Sequence, residues 1–182
     1  MSIIDKVVAA VTPLESEEAR ADARAKARAS ATPGDWLSMV LDHHLEIEAA
    51  FASVETAADA GSRTRALKEL GAILTGHSIA EEAALYPALA QADEKGHATA
   101  AYTEQSAAKL QMGLLENLAP MSQEFLDKLG HIKGAVAHHV YEEEGNWFLD
   151  LKSKLSTSDQ VKLTQRYHEQ FTRYMGKDAR AA

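Results

Sequence analysis

The chain contains no cysteine. Disulfide bonds, thiolate metal sites and cysteine nucleophiles are therefore excluded, and any bound metal ion would have to be held by nitrogen and oxygen ligands. Proline and glycine are also scarce, with 4 and 10 residues, and aromatic residues make up only 6% of the chain. Together with an abundance of alanine, this composition favours an all-helical protein.

Long apolar runs and basic clusters are missing as well. No segment approaches the roughly 18 consecutive apolar residues of a membrane span. The first apolar residues are interrupted by Asp5 and Lys6, so we do not predict a secretory signal, and we expect a cytoplasmic protein. The formal net charge of −8, without a cluster of Lys and Arg, argues against a nucleic-acid partner.

The 182 residues are enough for one domain with a sizeable core. The spacing of apolar residues predicts four long helices, over residues 36–59, 63–86, 96–117 and 123–155. Because the connections are short, neighbouring helices should be antiparallel. We therefore predict an up-down four-helix bundle over residues 35–155.

Helical segments flank the predicted bundle on both sides. An N-terminal arm over residues 1–34 contains an amphipathic stretch at 1–12 and a helix rich in Ala, Glu and Arg at 14–30. The C-terminal segment, residues 156–182, contains a last helix that reaches Met175. The sequence leaves two roles open for these segments, namely contacts with a second copy in a homodimer or packing back on their own bundle.

Two short segments repeat the same arrangement of a histidine and a glutamate. His77 precedes Glu81 by four residues, and His139 precedes Glu143 by four residues. On a helix, side chains at this spacing lie on one face, about 6 Å apart along the axis. An imidazole and a carboxylate so placed can bind one metal ion or bridge two, and both pairs are in register with apolar residues that should face the core.

Burial of these four groups is the argument for a metal. A lone inward histidine is commonly a hydrogen-bonded core residue, and a helical glutamate is commonly solvated, as we expect for Glu82, Glu142 and Glu144. Burying two imidazoles and two carboxylates together without a cation would instead cost several kcal/mol per unpaired charge. Repetition of the pair therefore predicts a metal centre inside a helix bundle.

The first predicted helix offers a third imidazole. His44 shares a helix face with apolar residues such as Val40 and Ile47, and we prefer it over His43 as the inward residue. Glu48 follows His44 at the same spacing of four, with a surface carboxylate as the alternative interpretation. Oxygen and imidazole donors without sulfur suit Fe, Mn or Zn, and two carboxylates able to bridge suit a dinuclear site.

These motifs resemble those of the hemerythrin HHE cation-binding family. The resemblance covers residues 35–155 and lies in the segments 42–51, 77–87 and 138–148. It implies a four-helix bundle with a non-haem di-iron centre. It further implies that His44, His77 and His139 are terminal ligands, and that Glu81 and Glu143 bridge the two irons.

The third predicted helix departs from the family pattern, because Gln105 stands where the family usually carries a histidine. The ligand from this helix is therefore open. Tyr102 lies one turn before Gln105 and could reach the centre as a phenolate ligand or as a hydrogen-bond donor. His97 lies about 12 Å before Gln105 along the helix axis, and a surface histidine is the alternative interpretation for it.

The loss of imidazole ligands changes the function that the resemblance implies. A more open, oxygen-rich and anionic ligand set favours ferric iron and disfavours reversible oxygen carriage. We therefore predict a di-iron protein that binds, senses or reacts with O₂, NO or peroxide, with catalase-like turnover as one form. Iron is expected ahead of Mn or Zn. Two alternatives stay open: a non-enzymatic iron-binding, storage or sensing module that acts through protein contacts, and a metal-free helical interaction protein.

Overall fold

The computed structural model describes residues 15–92 and 94–178, which form helices and no strand. This confirms the all-helical class predicted from composition, whereas the amphipathic stretch predicted at 1–12 lies outside the described residues. The helices are α1 (Glu17–Ser30), α2 (Trp36–Thr56), α3 (Ala60–Ala80), α4 (Tyr86–Gln91), α5 (Lys95–Leu115), α6 (Gln123–Glu142), α7 (Phe148–Lys154) and α8 (Thr157–Asp178). Among these described helices, none is long and apolar enough to cross a membrane. The cytoplasmic location stays a prediction.

Two π-helical turns interrupt the long helices. The first turn, Glu81–Leu85, joins α3 to α4, and the second turn, Glu143–Trp147, joins α6 to α7. In each case the N–H of the next residue donates to the carbonyl of the glutamate that begins the turn. Single π-helical turns inside α-helices are rare overall, and those that occur are often found at functional sites.

The helical segment that begins at Ala60 continues through the first π-helical turn to Gln91, past the predicted end at residue 86. Pro87 has no N–H to donate to a preceding carbonyl. A π-type bond from residue 87 would reach the carbonyl of Glu82, and the hydroxyl of Tyr102 donates to that carbonyl at 2.9 Å. The Tyr102 hydroxyl therefore replaces the N–H donor that proline lacks, and the helix continues past Pro87.

Short polar side chains cap the N-termini of several helices. Asp35 caps α2 as the sequence predicts, because its carboxylate accepts a hydrogen bond from the N–H of Ser38 at 2.8 Å. Ser16, Asp59 and Ser122 cap α1, α3 and α6 in the same way. Each cap satisfies one of the N–H groups that the first turn of a helix leaves without a partner.

The core consists of two apolar clusters with a polar layer between them. Trp36, Leu41 and Phe148 belong to the first cluster, and Ile47 and Phe125 belong to the second. Along α2, the layer falls between Leu41 and Ile47. The buried polar residues of the layer are His43, His44, His77, Glu81, Gln105, His139, Glu143 and Glu144.

The terminal helices pack on the bundle of their own chain. Helix α1 contacts α2, α6 and the second π-helical turn, and it buries Ala23 and Ala27. Helix α8 contacts α2, α3 and the first π-helical turn, and it buries Leu163 and Tyr167. Each terminal helix therefore covers one of the two π-helical turns, while the homodimer and the division at residues 34 and 155 stay predictions.

Candidate metal centre

The two His-x-x-x-Glu pairs lie in the polar layer, and each glutamate begins a π-helical turn. The Nε2 atom of His77 lies 3.2 Å from Oε2 of Glu81, and the Nε2 atom of His139 lies 3.2 Å from Oε1 of Glu143. Both glutamates have no exposed surface. The spacing of four thus produces the inward pairs that the sequence predicts.

His44 joins the two pairs from the neighbouring helix. Its Nε2 atom lies 3.3 Å from Oε2 of Glu143 and 4.0 Å from Oε1 of Glu81. One donor atom from each of His44, His77, Glu81 and Glu143 lies within 4.8 Å of the other three. Three helices therefore bring two imidazoles and two carboxylates within reach of one cation, with His139 beside them.

Several atoms of this layer have no hydrogen-bond partner among the described residues. They include Nε2 of His44, Oε1 of Glu81 and Oε2 of Glu143, all buried. Buried polar atoms are nearly always paired, since an unpaired one loses its hydration without compensation. A cation in contact with these three atoms would satisfy them, so the donor set fits a metal ion with a preference for nitrogen and oxygen ligands.

Each imidazole of the centre is held by an outer partner at its other ring nitrogen. The Nδ1 atom of His44 lies 2.8 Å from Glu144, that of His139 lies 2.8 Å from Glu104, and that of His77 lies 3.3 Å from the hydroxyl of Tyr167. Metal-binding histidines are typically oriented in this way, with the second nitrogen bonded to a carboxylate or another polar group. The pattern leaves all three Nε2 atoms directed at the centre.

Tyr86 occupies the side of the centre near His139. Its hydroxyl lies 3.0 Å from Oε2 of Glu81, 3.0 Å from Oε1 of Glu143 and 3.2 Å from Nε2 of His139. The amide of Gln105 donates to this hydroxyl and to Glu81. The residue at the family's histidine position therefore lies at the centre, where it contacts Tyr86.

Sequence reasoning missed Tyr86 because it used the α-helical period. Five residues after Glu81, an α-helix would turn the side chain away from the inward face. A π-helical turn closes its hydrogen bond over five residues, which brings positions five apart back to one side. Tyr86 lies in the segment 77–87 that carries the family resemblance, and this was the available indication that it belongs to the centre.

Glu144 is a correction to the sequence analysis, which expected a solvated carboxylate. It is 1% exposed, and it contacts His44 on one side and the guanidinium of Arg24 on the other, with Nε of Arg24 at 3.0 Å from both oxygens. Arg24 lies on α1, more than a hundred residues away in the chain. That distant contact explains the burial, and no local pattern could indicate it.

The structure does not bring the remaining candidate ligands to the centre. Glu48 is exposed and pairs with Arg24 at 2.8 Å. His97 stacks on the ring of Trp147 with centroids 5.6 Å apart, and it lies 3.2 Å from Glu94. The hydroxyl of Tyr102 is bonded to a backbone carbonyl, as described above, and only its ring touches Tyr86, edge-on, at 5.0 Å between centroids.

Charges inside the layer shift several pKa values. Burial lowers the pKa of His44, but Glu143 and Glu144 outweigh burial and raise it to about 9. Burial and the neighbouring Glu143 raise the pKa of Glu81 to about 8. Burial also opposes ionisation of Glu143, yet His139 and His44 hold its pKa below its usual value. Protons thus balance the carboxylates in the metal-free protein, and a bound cation would displace them.

The comparison with known families agrees with this geometry. The model of the hemerythrin HHE cation binding domain matches residues 37–151. The chain belongs to the hemerythrin HHE cation-binding family. Arg24 and Tyr167, which reach toward the centre from α1 and α8, lie outside the matched residues.

Similarity to individual proteins is more limited. A protein of Nostoc sp. (strain PCC 7120 / SAG 25.82 / UTEX 2576) named DNA nickase is 32% identical over 84 residues. The match covers 46% of this chain and only 24% of that protein, so it spans about a quarter of that relative's length. No solved structure matches the chain significantly.

Proposed function

We propose that the chain is a non-haem di-iron protein that binds, senses or reacts with O₂, NO or peroxide. The observation that supports this most is the set of three Nε2 atoms around two buried carboxylates. Within the described part of the chain, several oxygen and nitrogen atoms of the layer have no hydrogen-bond partner. The match to a cation-binding family supports it independently. Iron is the proposed metal, ahead of Mn and Zn, because the donors are imidazoles and carboxylates without sulfur.

In this proposal His44, His77 and His139 would hold the metals, and Glu81 and Glu143 would bridge them. The bridging roles are supported by the way each carboxylate divides its oxygens. Oε1 of Glu81 lies toward His44 and Oε2 toward His77, while Oε2 of Glu143 lies toward His44 and Oε1 toward His139. A carboxylate whose two oxygens face different imidazoles is suited to bind two cations.

Residues around the bridging carboxylates would control protons and water. The hydroxyl of Tyr86 can donate its proton to Glu81 or Glu143 while it accepts a hydrogen bond from Gln105. Glu81 and Glu143 themselves have no exposed surface, so bulk water does not reach the two carboxylates directly. When bound, an iron pair would supply two one-electron redox steps. Gln105, a neutral amide, leaves the donor set poorer in nitrogen than an additional imidazole would.

We also propose that four long helical segments follow one another in antiparallel up-down order. The first segment is α2, the second is α3 continued by α4, the third is α5, and the fourth is α6 continued by α7. Short connections and the family match support this order. The proposal includes no nucleic-acid partner. One relative is named DNA nickase, but the match covers only 24% of that protein, and a net charge of −8 opposes contact with phosphates.

Metal analysis with optical spectroscopy tests the proposal. We expect about two irons per purified chain after iron loading, near-ultraviolet charge-transfer bands, and changes in those bands when azide, NO or peroxide is added. Bound iron without any response to these ligands would favour the alternative of an iron-binding, storage or sensing module. Failure to bind iron stoichiometrically would contradict the proposal.

A further inference from the structure

A cavity of about 560 Å³ leads to one side of the centre. It lies between α3, α5 and α6, and its lining includes His77, Gln105 and His139 of the polar layer. The hydrogen-bonded groups on the opposite side, His44 and Glu144, are not part of its lining. The cavity therefore gives access to the centre from the side of His139.

The cavity is much larger than the ligands usually considered for such a centre. A single water molecule takes up about 30 Å³ of the liquid, and a diatomic molecule is of similar size. Cavities of roughly 300 to 1,000 Å³ are the range in which proteins bind small organic molecules. A diatomic ligand or hydrogen peroxide would leave most of this space to be filled by something else.

The walls define what kind of molecule would fill the space. Most of their surface is apolar, and Ile47, Leu74, Met112, Val136 and Val140 are among the lining residues. The lining also contains two lysines and two glutamates, whose charges balance: Lys68, Lys109, Glu104 and Glu116. An apolar interior with balanced charges favours a ligand that is largely aliphatic and carries no net charge.

A polar group at the inner end specifies the head of that ligand. Gln105 is 5% exposed, its amide N–H donates to Tyr86 and Glu81, and its Oε1 atom has no partner among the described residues. A buried carbonyl oxygen without a partner requires a donor, and Gln105 lines the cavity.

We propose that the cavity binds a neutral aliphatic molecule with a terminal O–H group, whose hydroxyl donates to Oε1 of Gln105 beside the metal centre. The aliphatic chain lies along the apolar wall between α3, α5 and α6. This inference rests on the proposed function only for the chemistry at the centre. Binding itself requires the cavity and Gln105, and it can therefore be measured with and without iron.

The test uses a series of 1-alkanols of increasing length, titrated into the full-length protein by calorimetry, both metal-free and after iron loading. Each methylene that enters the cavity should tighten binding about fourfold, which corresponds to about 0.8 kcal/mol. An ether with the same number of heavy atoms but no O–H should bind about fivefold more weakly, because the bond to Gln105 is lost. An alkanoate of equal length should also bind more weakly.

Two glycine variants separate the cavity from general effects on the helices. Gly71→Leu places a side chain in the cavity from α3, where an added Cβ would meet no atom within 4 Å. Gly130→Leu is the matched control, because Gly130 is exposed on α6, has equally open space at its Cβ and does not line the cavity. Gly71→Leu should weaken 1-hexanol binding at least tenfold, and Gly130→Leu should not change it.

The results separate this inference from the proposed function. Affinity that does not depend on chain length, or equal behaviour of the two glycine variants, would overturn the inference even if iron binds and responds to azide. Gly113→Leu fills the same cavity from α5 and repeats the test if Gly71→Leu is unstable. If iron does not bind, the proposed function fails, while the alkanol series in the metal-free protein still decides the inference.

Discussion

The two π-helical turns begin with the same motif but are supported differently. In both, the first glutamate is buried and lies 3.2 Å from the histidine four residues before it. The next residue of the first turn, Glu82, lies at the surface and pairs with Lys109. The next residue of the second turn, Glu144, is buried between His44 and Arg24. A repeated motif therefore specifies the inner donors, and long-range contacts specify their support.

A second difference appears five residues after each glutamate. At that position the first turn leads to Tyr86, whose hydroxyl contacts both carboxylates. The second turn leads to Phe148, which packs edge-on against Trp36 with ring centroids 5.6 Å apart. The centre is consequently asymmetric, with a polar group and a cavity on the side of His139 and closed packing near α1. Three predictions test how far this asymmetry matters.

The largest effect is expected where the two turns are alike. Glu143→Gln keeps the shape of the side chain but removes the negative charge that would bridge two cations. We expect stoichiometric metal binding to be lost, an effect beyond the roughly 10–100-fold loss that follows removal of an outer partner. Metal content and thermal denaturation with and without iron measure this, because a ligand at 100 times its Kd stabilises the folded state by about 2.7 kcal/mol.

Glu81→Gln in the other turn should behave like Glu143→Gln, because both carboxylates contact two imidazoles. Glu142→Gln is the control, since Glu142 precedes Glu143 directly, is partly buried and is outside the donor group. Full metal occupancy in either of the first two variants would show that the bridging roles are assigned incorrectly.

The inner donors were predictable from the sequence because they depend on local geometry. Spacing of four on an apolar helix face is enough to bring His77 to Glu81 and His139 to Glu143, and the apolar neighbours of His44 indicate that it faces inward. The same local rule explains the all-helical class and the cap at Asp35. Each of these features requires only neighbouring residues and the α-helical period.

The rest of the centre was not predictable by that rule, for two physical reasons. A π-helical turn changes the period, so Tyr86 comes to the centre although an α-helix would turn it away. Burial of Glu144 depends on Arg24, which the fold brings from another helix. The sequence left Tyr102 open as a phenolate ligand or a hydrogen-bond donor at the centre, but its hydroxyl donates to the carbonyl of Glu82, which Pro87 cannot bond. The changed helical period decides the first of these outcomes, and contacts between distant residues decide the other two.

An intermediate effect is expected where the turns differ in their second glutamate. Glu144→Gln weakens the hydrogen bond to His44 and leaves Arg24 without its buried anion, so we expect metal affinity to fall about 10–100-fold. Glu82→Gln is the matched change in the other turn. It removes only a surface pair with Lys109, a type of interaction worth about 0–1 kcal/mol, and should leave metal affinity unchanged. Competition with a chelator measures both affinities, and equal values would contradict the difference in support.

The smallest effect on affinity is expected at Tyr86, where the change should instead alter the spectrum. Tyr86→Phe keeps the ring and removes a hydroxyl that lies 3.0 Å from both carboxylates. We expect metal affinity to fall by about tenfold, at the low end of the about 1.5–3 kcal/mol that a hydrogen bond to a charged group is worth, because bound cations would neutralise much of the carboxylate charge. The absorption bands of the iron-loaded protein should shift at the same time. Tyr102→Phe is the control, because the Tyr102 hydroxyl donates to a backbone carbonyl away from the donors, and its spectrum should match the unmodified protein. A spectral change in Tyr102→Phe alone would mean that the phenol of α5, and not Tyr86, acts on the metal.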